Sequence, residues 1–280
     1  MRLATFNLLN GTSVHDGRVD AGRLRDAVTA LRADVLGLQE VDRGQSRSSG
    51  RDLTAEVADA MGTAHWRFVP ALVGTPGGQW RAATDDDDAT TDAHYGVGLV
   101  SRWPVLSWHV VRLAAAPVRS PVVLPGSRQL VWLQDEPRVG LAAVVDGPAG
   151  PMTVATTHLS FVPVWNGVQL RRLTAALAEL PGPRVLLGDL NMPGPVPRAL
   201  TRWRPLARVA TYPAWEPRLQ LDHVLASGRL PAVTAVETPA LPLSDHRALL
   251  VELGPVAAPG PRGASAPASR GTASPTPPGP

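Results

Sequence analysis

Leu186-Leu187-Gly188-Asp189-Leu190-Asn191 is an apolar run that ends in a carboxylate and a carboxamide two residues apart. In extended chain, positions i and i+2 share one face. Asp189 and Asn191 are therefore predicted to point into the same space at the end of a strand. A carboxylate there can take a proton from water, and the amide can hold the oxygen that attacks or leaves. Asp and Asn also favour turns, so a turn is the competing reading of these residues alone. The chain has only four Asn in 280 residues, and a second one, Asn7, also falls at a strand end.

Other apolar runs end in the same way. Asn7 closes a strand read over residues 3–9, with a turn or helix cap as the alternative. Residues 34–41 run through Val35-Leu36-Gly37-Leu38 to Gln39-Glu40. Glu40 is a candidate ligand for a hard cation, or else a solvated strand end. Thr156-Thr157-His158-Leu159 ends another strand in a histidine, a residue type more often structural than catalytic. Leu221-Asp222-His223-Val224-Leu225 puts an acid inside an apolar strand, where an unpaired charge is costly. Asp222 needs a partner, and His246 in Ser244-Asp245-His246-Arg247 is a candidate. An Asp–His pair fixes the imidazole tautomer and favours its charged form.

Composition removes several chemistries. All 27 basic residues are Arg; Lys, Cys and Ile are absent. Without Cys there is no disulfide, thiolate metal site or Cys nucleophile. Without Lys there is no Schiff base and no P-loop lysine. The isoelectric point of 10.4 is a weak guide to partners. Little titrates between pH 7 and 10 here, so a small excess of Arg carries it upward.

The organisation is one domain over residues 1–254 and a tail over 255–280. The tail holds 8 Pro and no acid, and its only large aliphatic is Val256, so it is expected to be disordered. Without it the chain has 25 Arg against 24 acids. With a strand-like start at Met1–Asn7, no targeting segment is expected. The uncharged stretch 147–170 contains three Pro, His158 and Asn166, which argues against a membrane span. A soluble, cytoplasmic monomer with no transmembrane segment is expected.

Periodicity gives strands at 3–9, 35–39, 67–73, 95–101, 105–112, 139–145, 152–159, 184–188, 220–226, 232–237 and 248–253. It gives helices at 19–31, 52–61 and 169–180. Many strands with helices between only some of them predict two packed sheets flanked by helices. Residues 74–93 read as a long polar loop of the kind that carries specificity. Within it, Asp85 to Asp88 read as a solvated acidic run, with a second cation site as the sharper alternative. Trp80 and Trp165 are the Trp best placed to stack on a base at the surface. Arg51, Arg102 and Arg171 read as surface charges, with a grip on phosphate as the alternative.

The order of these motifs resembles the endonuclease/exonuclease/phosphatase superfamily, from Leu3 to about Leu253, and Tyr95-Gly96-Val97-Gly98-Leu99-Val100-Ser101-Arg102 adds to it. The resemblance implies an α/β fold, a four-layer α/β/β/α sandwich of two mixed sheets with outer helices. It implies metal-assisted hydrolysis of a phosphate ester with Mg²⁺, or Mn²⁺ in its place. Carried over by position, Glu40, Asn7 and Asp245 would hold the metal. Asp189 would orient and deprotonate water, and Asn191 would hold that water or a phosphate oxygen. His158 would bind phosphate or assist the leaving oxygen, alongside Asn7. His246, paired with Asp222, would stabilise the charge growing on the phosphorus oxygens or act as acid or base. Activation of water by Asp189 and by His246 both stay open.

The substrate stays open among nucleic acid, a phospholipid headgroup such as that of sphingomyelin, and inositol or other small phosphates. His158 stands where the abasic-site nuclease branch tends to carry Tyr, closer to the deoxyribonuclease-like and sphingomyelinase-like branches. The near-neutral core speaks against a strongly electrostatic DNA binder. The alternative is a non-catalytic binding or scaffold protein on the same fold, which should have lost some of these residues.

Overall fold

The computed structural model describes residues 1–123, 130–255 and 279. The expected tail lies outside the described residues, apart from Pro255 and Gly279. In chain order the first strands and helices are β1 (Arg2–Asn7), α1 (Ala21–Leu31), β2 (Val35–Arg43), α2 (Leu53–Met61), β3 (His65–Gly74), β4 (Trp80–Ala82) and β5 (His94–Ser101). Next come β6 (Val105–Leu113), β7 (Arg119–Val123), β8 (Leu130–Gln134), β9 (Arg138–Gly147), β10 (Gly150–His158) and α3 (Trp165–Ala178). The chain closes with β11 (Arg184–Asp189), α4 (Val196–Thr201), β12 (Arg204–Pro205), β13 (Asp222–Ser227), β14 (Val233–Glu237) and β15 (Leu249–Leu253).

One mixed sheet has seven strands in the order β14-β15-β1-β2-β5-β3-β4, and a second has six in the order β12-β13-β11-β10-β9-β6. Alternation along each strand divides its side chains between two cores. In β1, Leu3 faces the second sheet, while Ala4 and Phe6 face α1 and α2. In β11, Val185 and Leu187 meet the first sheet, and Leu186 packs with Leu170, Leu173 and Leu177 of α3. Helices on each outer face complete the four-layer sandwich.

Local signals set the helix ends. The Asp20 side chain accepts from Arg23 N and caps α1, so the helix starts inside the predicted 19–31. Asp52 caps α2 through Ala55 N, and Gly62, at φ 67°, stops it in the left-handed region.

The two sheets approach each other closely at Gly37. A Cβ there would sit 2.7 Å from Thr156 Oγ1 and 2.9 Å from Thr156 Cβ. Next to it, buried Gln39 accepts from Thr5 Oγ1 (3.1 Å) and donates to Thr156 Oγ1 (2.8 Å). This polar link ties the two sheets together beneath the strand ends.

Two readings from sequence need correction. The stretch 74–93 is not one loop: it contains β4 and a 3₁₀ turn over Asp85–Ala89. The acidic run is not simply solvated, because Arg112, Arg81 and Arg67 pair with Asp85, Asp87 and Asp88 at 2.9, 2.6 and 2.6 Å. Periodicity also missed β7 and β8, a two-stranded ribbon outside both sheets.

Candidate active site

Parallel pairing brings the polar strand ends together. β1 and β2 run parallel with Asn7 opposite Gln39, and β10 and β11 run parallel with His158 opposite Asp189. β13 is antiparallel to β11 and sets Asp222 opposite Asp189. The four parallel strands therefore end at one edge of the sandwich, and the start of β13 lies beside them.

Two backbone irregularities aim the side chains. A bulge in β2 falls between Leu38 and Val41, and Glu40 sits at φ 53°. Plain alternation from Leu36 and Leu38 would turn Glu40 toward the helices; the bulge turns it into the cleft. Gly188 has φ 151°, and a Cβ there would lie 2.1 Å from Thr157 O. Glycine before Asp189 thus allows β11 to press against β10. Asn191 and Ser244, at φ 51° and 67°, add further local strain around the same site.

The side chains form one network. Asn7 Nδ2 donates to Glu40 Oε1 (2.9 Å) and Asp189 Oδ2 (3.1 Å). Asp189 Oδ1 accepts from Asn191 N (2.9 Å). His158 Nε2 and His246 Nε2 stand 3.6 and 3.7 Å from Asp189 Oδ2. His246 Nδ1 meets Asp222 Oδ2 at 2.8 Å. Ser244 Oγ donates to Asn7 O (2.6 Å) and accepts from His246 N (3.0 Å), fixing the loop that carries His246. The Tyr212 ring lies against His246 with centroids 4.9 Å apart.

Burial and charge separate the two histidines. Burial lowers the His158 pKa well below its ordinary value, and Arg138 and His246 push it the same way. Arg138 Nη1 lies 3.3 Å from His158 Nδ1. On the other side of the ring, Asn191 Nδ2 lies 3.1 Å from His158 Nε2, so a donor faces each ring nitrogen, which agrees with a neutral imidazole. Burial also opposes charge on His246, but Asp222 and Asp189 outweigh it and raise its pKa to about 10. Burial raises the Asp189 carboxyl to about 7, against the pull of His246 and the hydrogen bonds from Asn191 and Asn7.

Glu40 and Asp245 line the same cleft. Burial raises the Glu40 carboxyl, the hydrogen bond from Asn7 lowers it, and the charge of Asp245 raises it again. Asp245 Oδ1 is buried without a partner among the described residues. Two facing carboxylates, one with an orphaned oxygen, fit a hard divalent cation. Asp189, Asp222 and His246 also offer ligand atoms within 4.8 Å of one another, but His246 and Asp222 already engage each other.

The cleft encloses about 560 Å³. Every site residue expected from sequence lies at it or in its network: Asn7, Glu40, His158, Asp189, Asn191, Asp222, Asp245 and His246. Trp80 lines the cleft, whereas Trp165 donates its indole N–H to Ala114 O at the start of α3. Arg51, Arg102 and Arg171 are not part of the cleft wall, and Arg51 pairs with Glu56. Among the described residues, Arg138 brings a guanidinium to the cleft wall, which sequence reasoning missed. A charged residue opening the apolar strand Arg138-Val139-Gly140-Leu141 was the available signal.

The site is a crevice of acids, amides and histidines at one edge of an α/β sandwich. The family model described as Endonuclease/Exonuclease/phosphatase family matches residues 4–246. The chain belongs to that family and is a metal-dependent phosphoesterase. Solved structures share the fold. An endonuclease/exonuclease/phosphatase from Beutenbergia cavernae is 22% identical at TM-score 0.61, covering 91% of this chain and 72% of its own. Sphingomyelinase C from Streptomyces griseocarneus is 18% identical at TM-score 0.58, covering 91% and 99%. The Bacteroides thetaiotaomicron mannosyl-6-phosphatase is 13% identical at TM-score 0.55, covering 91% and 99%. No curated protein matches the sequence closely enough to count as a relative.

Proposed function

We propose that the chain hydrolyses a phosphodiester with Mg²⁺, or Mn²⁺ in its place, and that Asp189 is the base. The observation that supports this most is the position of Asp189 Oδ2, between a neutral His158 and a charged His246 at 3.6 and 3.7 Å. A histidine held protonated up to about pH 10 is a poor base at neutral pH. A carboxyl held near 7 can give up its proton and then accept one from water.

Glu40, Asn7 and Asp245 would hold the ion, which when bound supplies Lewis-acid stabilisation of charge on the phosphoryl oxygens. Asp189 takes a proton as the water oxygen forms its bond to phosphorus. Asn191 holds that water or a phosphoryl oxygen. The bond from phosphorus to the leaving oxygen breaks, and that oxygen takes a proton from His246 Nε2. His158 and the guanidinium of Arg138, both in the cleft wall, bind the phosphate oxygens. Asp222 keeps His246 charged and fixes its tautomer.

The test is hydrolysis with Mg²⁺ or Mn²⁺ across supercoiled DNA, single-stranded DNA, RNA, sphingomyelin, phosphoinositides and bis(p-nitrophenyl) phosphate. Cleavage of at least one, abolished by EDTA, is expected. Survival of every substrate with both metals contradicts the reading.

A further inference from the structure

We propose that the mouth of this cleft docks on a zwitterionic phospholipid bilayer and admits a phosphocholine headgroup. This rests on the phosphodiesterase reading and narrows its substrate. The ribbon β7–β8 stands outside both sheets and exposes apolar side chains: Leu130 is 58%, Trp132 62% and Leu133 40% exposed. Leu130 and Trp132 share one face of the ribbon by alternation. Leu133 lines the cleft itself. Buried Asp135, just after β8, accepts from Ala116 N at 2.6 Å and lies 4.0 Å from Arg138, which fastens the ribbon's base beside the cleft wall.

A second apolar element meets the same mouth. The loop after β10 runs Phe161-Val162-Pro163-Val164-Trp165. Phe161 lines the cleft, and Val164 is 83% exposed at φ 71°. A β-branched residue is an outlier in that region of backbone space. Single exposed apolar residues need no explanation, but two apolar elements rimming one polar cleft mark an interaction surface. Trp and aliphatic side chains around a polar centre suit the headgroup boundary of a bilayer.

Charge distinguishes the occupant. The cleft is lined by Glu40, Glu136, Asp189 and Asp245 against Arg138 and His246. With the divalent cation that Glu40 and Asp245 would hold, these charges balance, so the cleft offers no basic track for a polyanion such as nucleic acid. It suits a headgroup with one phosphate and one cation: Arg138 and His246 for the phosphate, and Glu136 with the faces of Trp80 and Phe161 for a quaternary ammonium.

The experiment sediments the full chain with vesicles in EDTA, using phosphatidylcholine, sphingomyelin or phosphatidylglycerol. It then measures turnover of each lipid and of bis(p-nitrophenyl) phosphate with Mg²⁺ or Mn²⁺. The two phosphocholine arms identify which lipid backbone is preferred. Wild type should sediment with phosphocholine vesicles and less with phosphatidylglycerol. Leu130→Ser combined with Trp132→Ser should lower the ratio of vesicle turnover to soluble-ester turnover at least tenfold. Glu136→Gln should narrow the preference for phosphocholine over phosphatidylglycerol, which keeps the test open if the double variant misfolds. Cleavage of the soluble ester with no vesicle binding overturns the docking surface and leaves the phosphodiesterase reading standing. Vesicle binding with no hydrolysis of any ester does the reverse. An unchanged ratio in the double variant, a preference for DNA, or self-association that the double variant abolishes also overturns the proposal.

Discussion

His246 Nδ1 lies 2.8 Å from Asp222 Oδ2, and the same ring brings Nε2 to 3.7 Å from Asp189 Oδ2. One buried carboxylate therefore holds the imidazole charged while the opposite ring nitrogen faces a second. β13 supplies Asp222, the loop before β15 supplies His246, and β11 supplies Asp189. The arrangement is set by the register between β11 and β13, in which Asp189 and Asp222 are direct cross-strand neighbours.

Asp222→Asn keeps the shape of the side chain and removes its charge. His246 then loses the strongest of the charges that hold its proton. Turnover of bis(p-nitrophenyl) phosphate should fall by roughly 10²–10⁴ in kcat, the scale of a lost acid–base group. An unchanged circular dichroism spectrum would show that the loss is chemical.

The pH dependence follows from the same two groups. Asp189 must be ionised to accept a proton, and burial holds its carboxyl at about 7, so kcat/KM should rise with pH through that region. His246 must be protonated, and its carboxylate neighbours hold its pKa at about 10, so kcat/KM should fall as pH passes that value. In Asp222→Asn the alkaline limb should move to lower pH. A kcat/KM profile of the two proteins from pH 5 to 11 checks both limbs.

Glu40→Gln removes a carboxylate from the pair with Asp245. Binding of Mn²⁺, measured by calorimetry without substrate, should weaken by about tenfold or more, since even outer-shell changes cost metal sites 10–100-fold. Wild-type affinity in the variant would remove Glu40 from the metal site.

Gly37→Ala tests the contact between the sheets. The added Cβ would lie 2.7 Å from Thr156 Oγ1 and 3.2 Å from Leu187 Cβ. Overpacking at such a site costs about 1–3 kcal/mol, which urea denaturation should register as a lower midpoint.

The strand-end motifs were legible in the sequence because the chemistry of each is local. An acid or amide closing an apolar run can be seen without coordinates, and Asp189-Leu190-Asn191 and Asp222 were found that way. The helices were legible through apolar spacing, as with Leu24, Ala27, Val28 and Leu31 in α1, and through the stop at Gly62, while the caps Asp20 and Asp52 came only with the structure. The orientation of Glu40 was not, because strict alternation puts it on the helix side and only the bulge in β2 reverses it. Arg138 was hidden because its role depends on lying 3.3 Å from His158, a contact between strands that sequence spacing does not encode. The β7–β8 ribbon was missed because its side chains lack the in–out alternation that a half-buried strand writes into sequence: Leu130, Trp132 and Leu133 are all exposed.

The most direct measurement compares wild type and Asp189→Asn in hydrolysis of bis(p-nitrophenyl) phosphate with saturating Mn²⁺ at pH 8. The carboxamide keeps the size of the side chain and cannot accept the proton. A loss of about 10²-fold or more in kcat, with Mn²⁺ binding retained, is the predicted result. Turnover equal to wild type would contradict the assignment of Asp189 as the base.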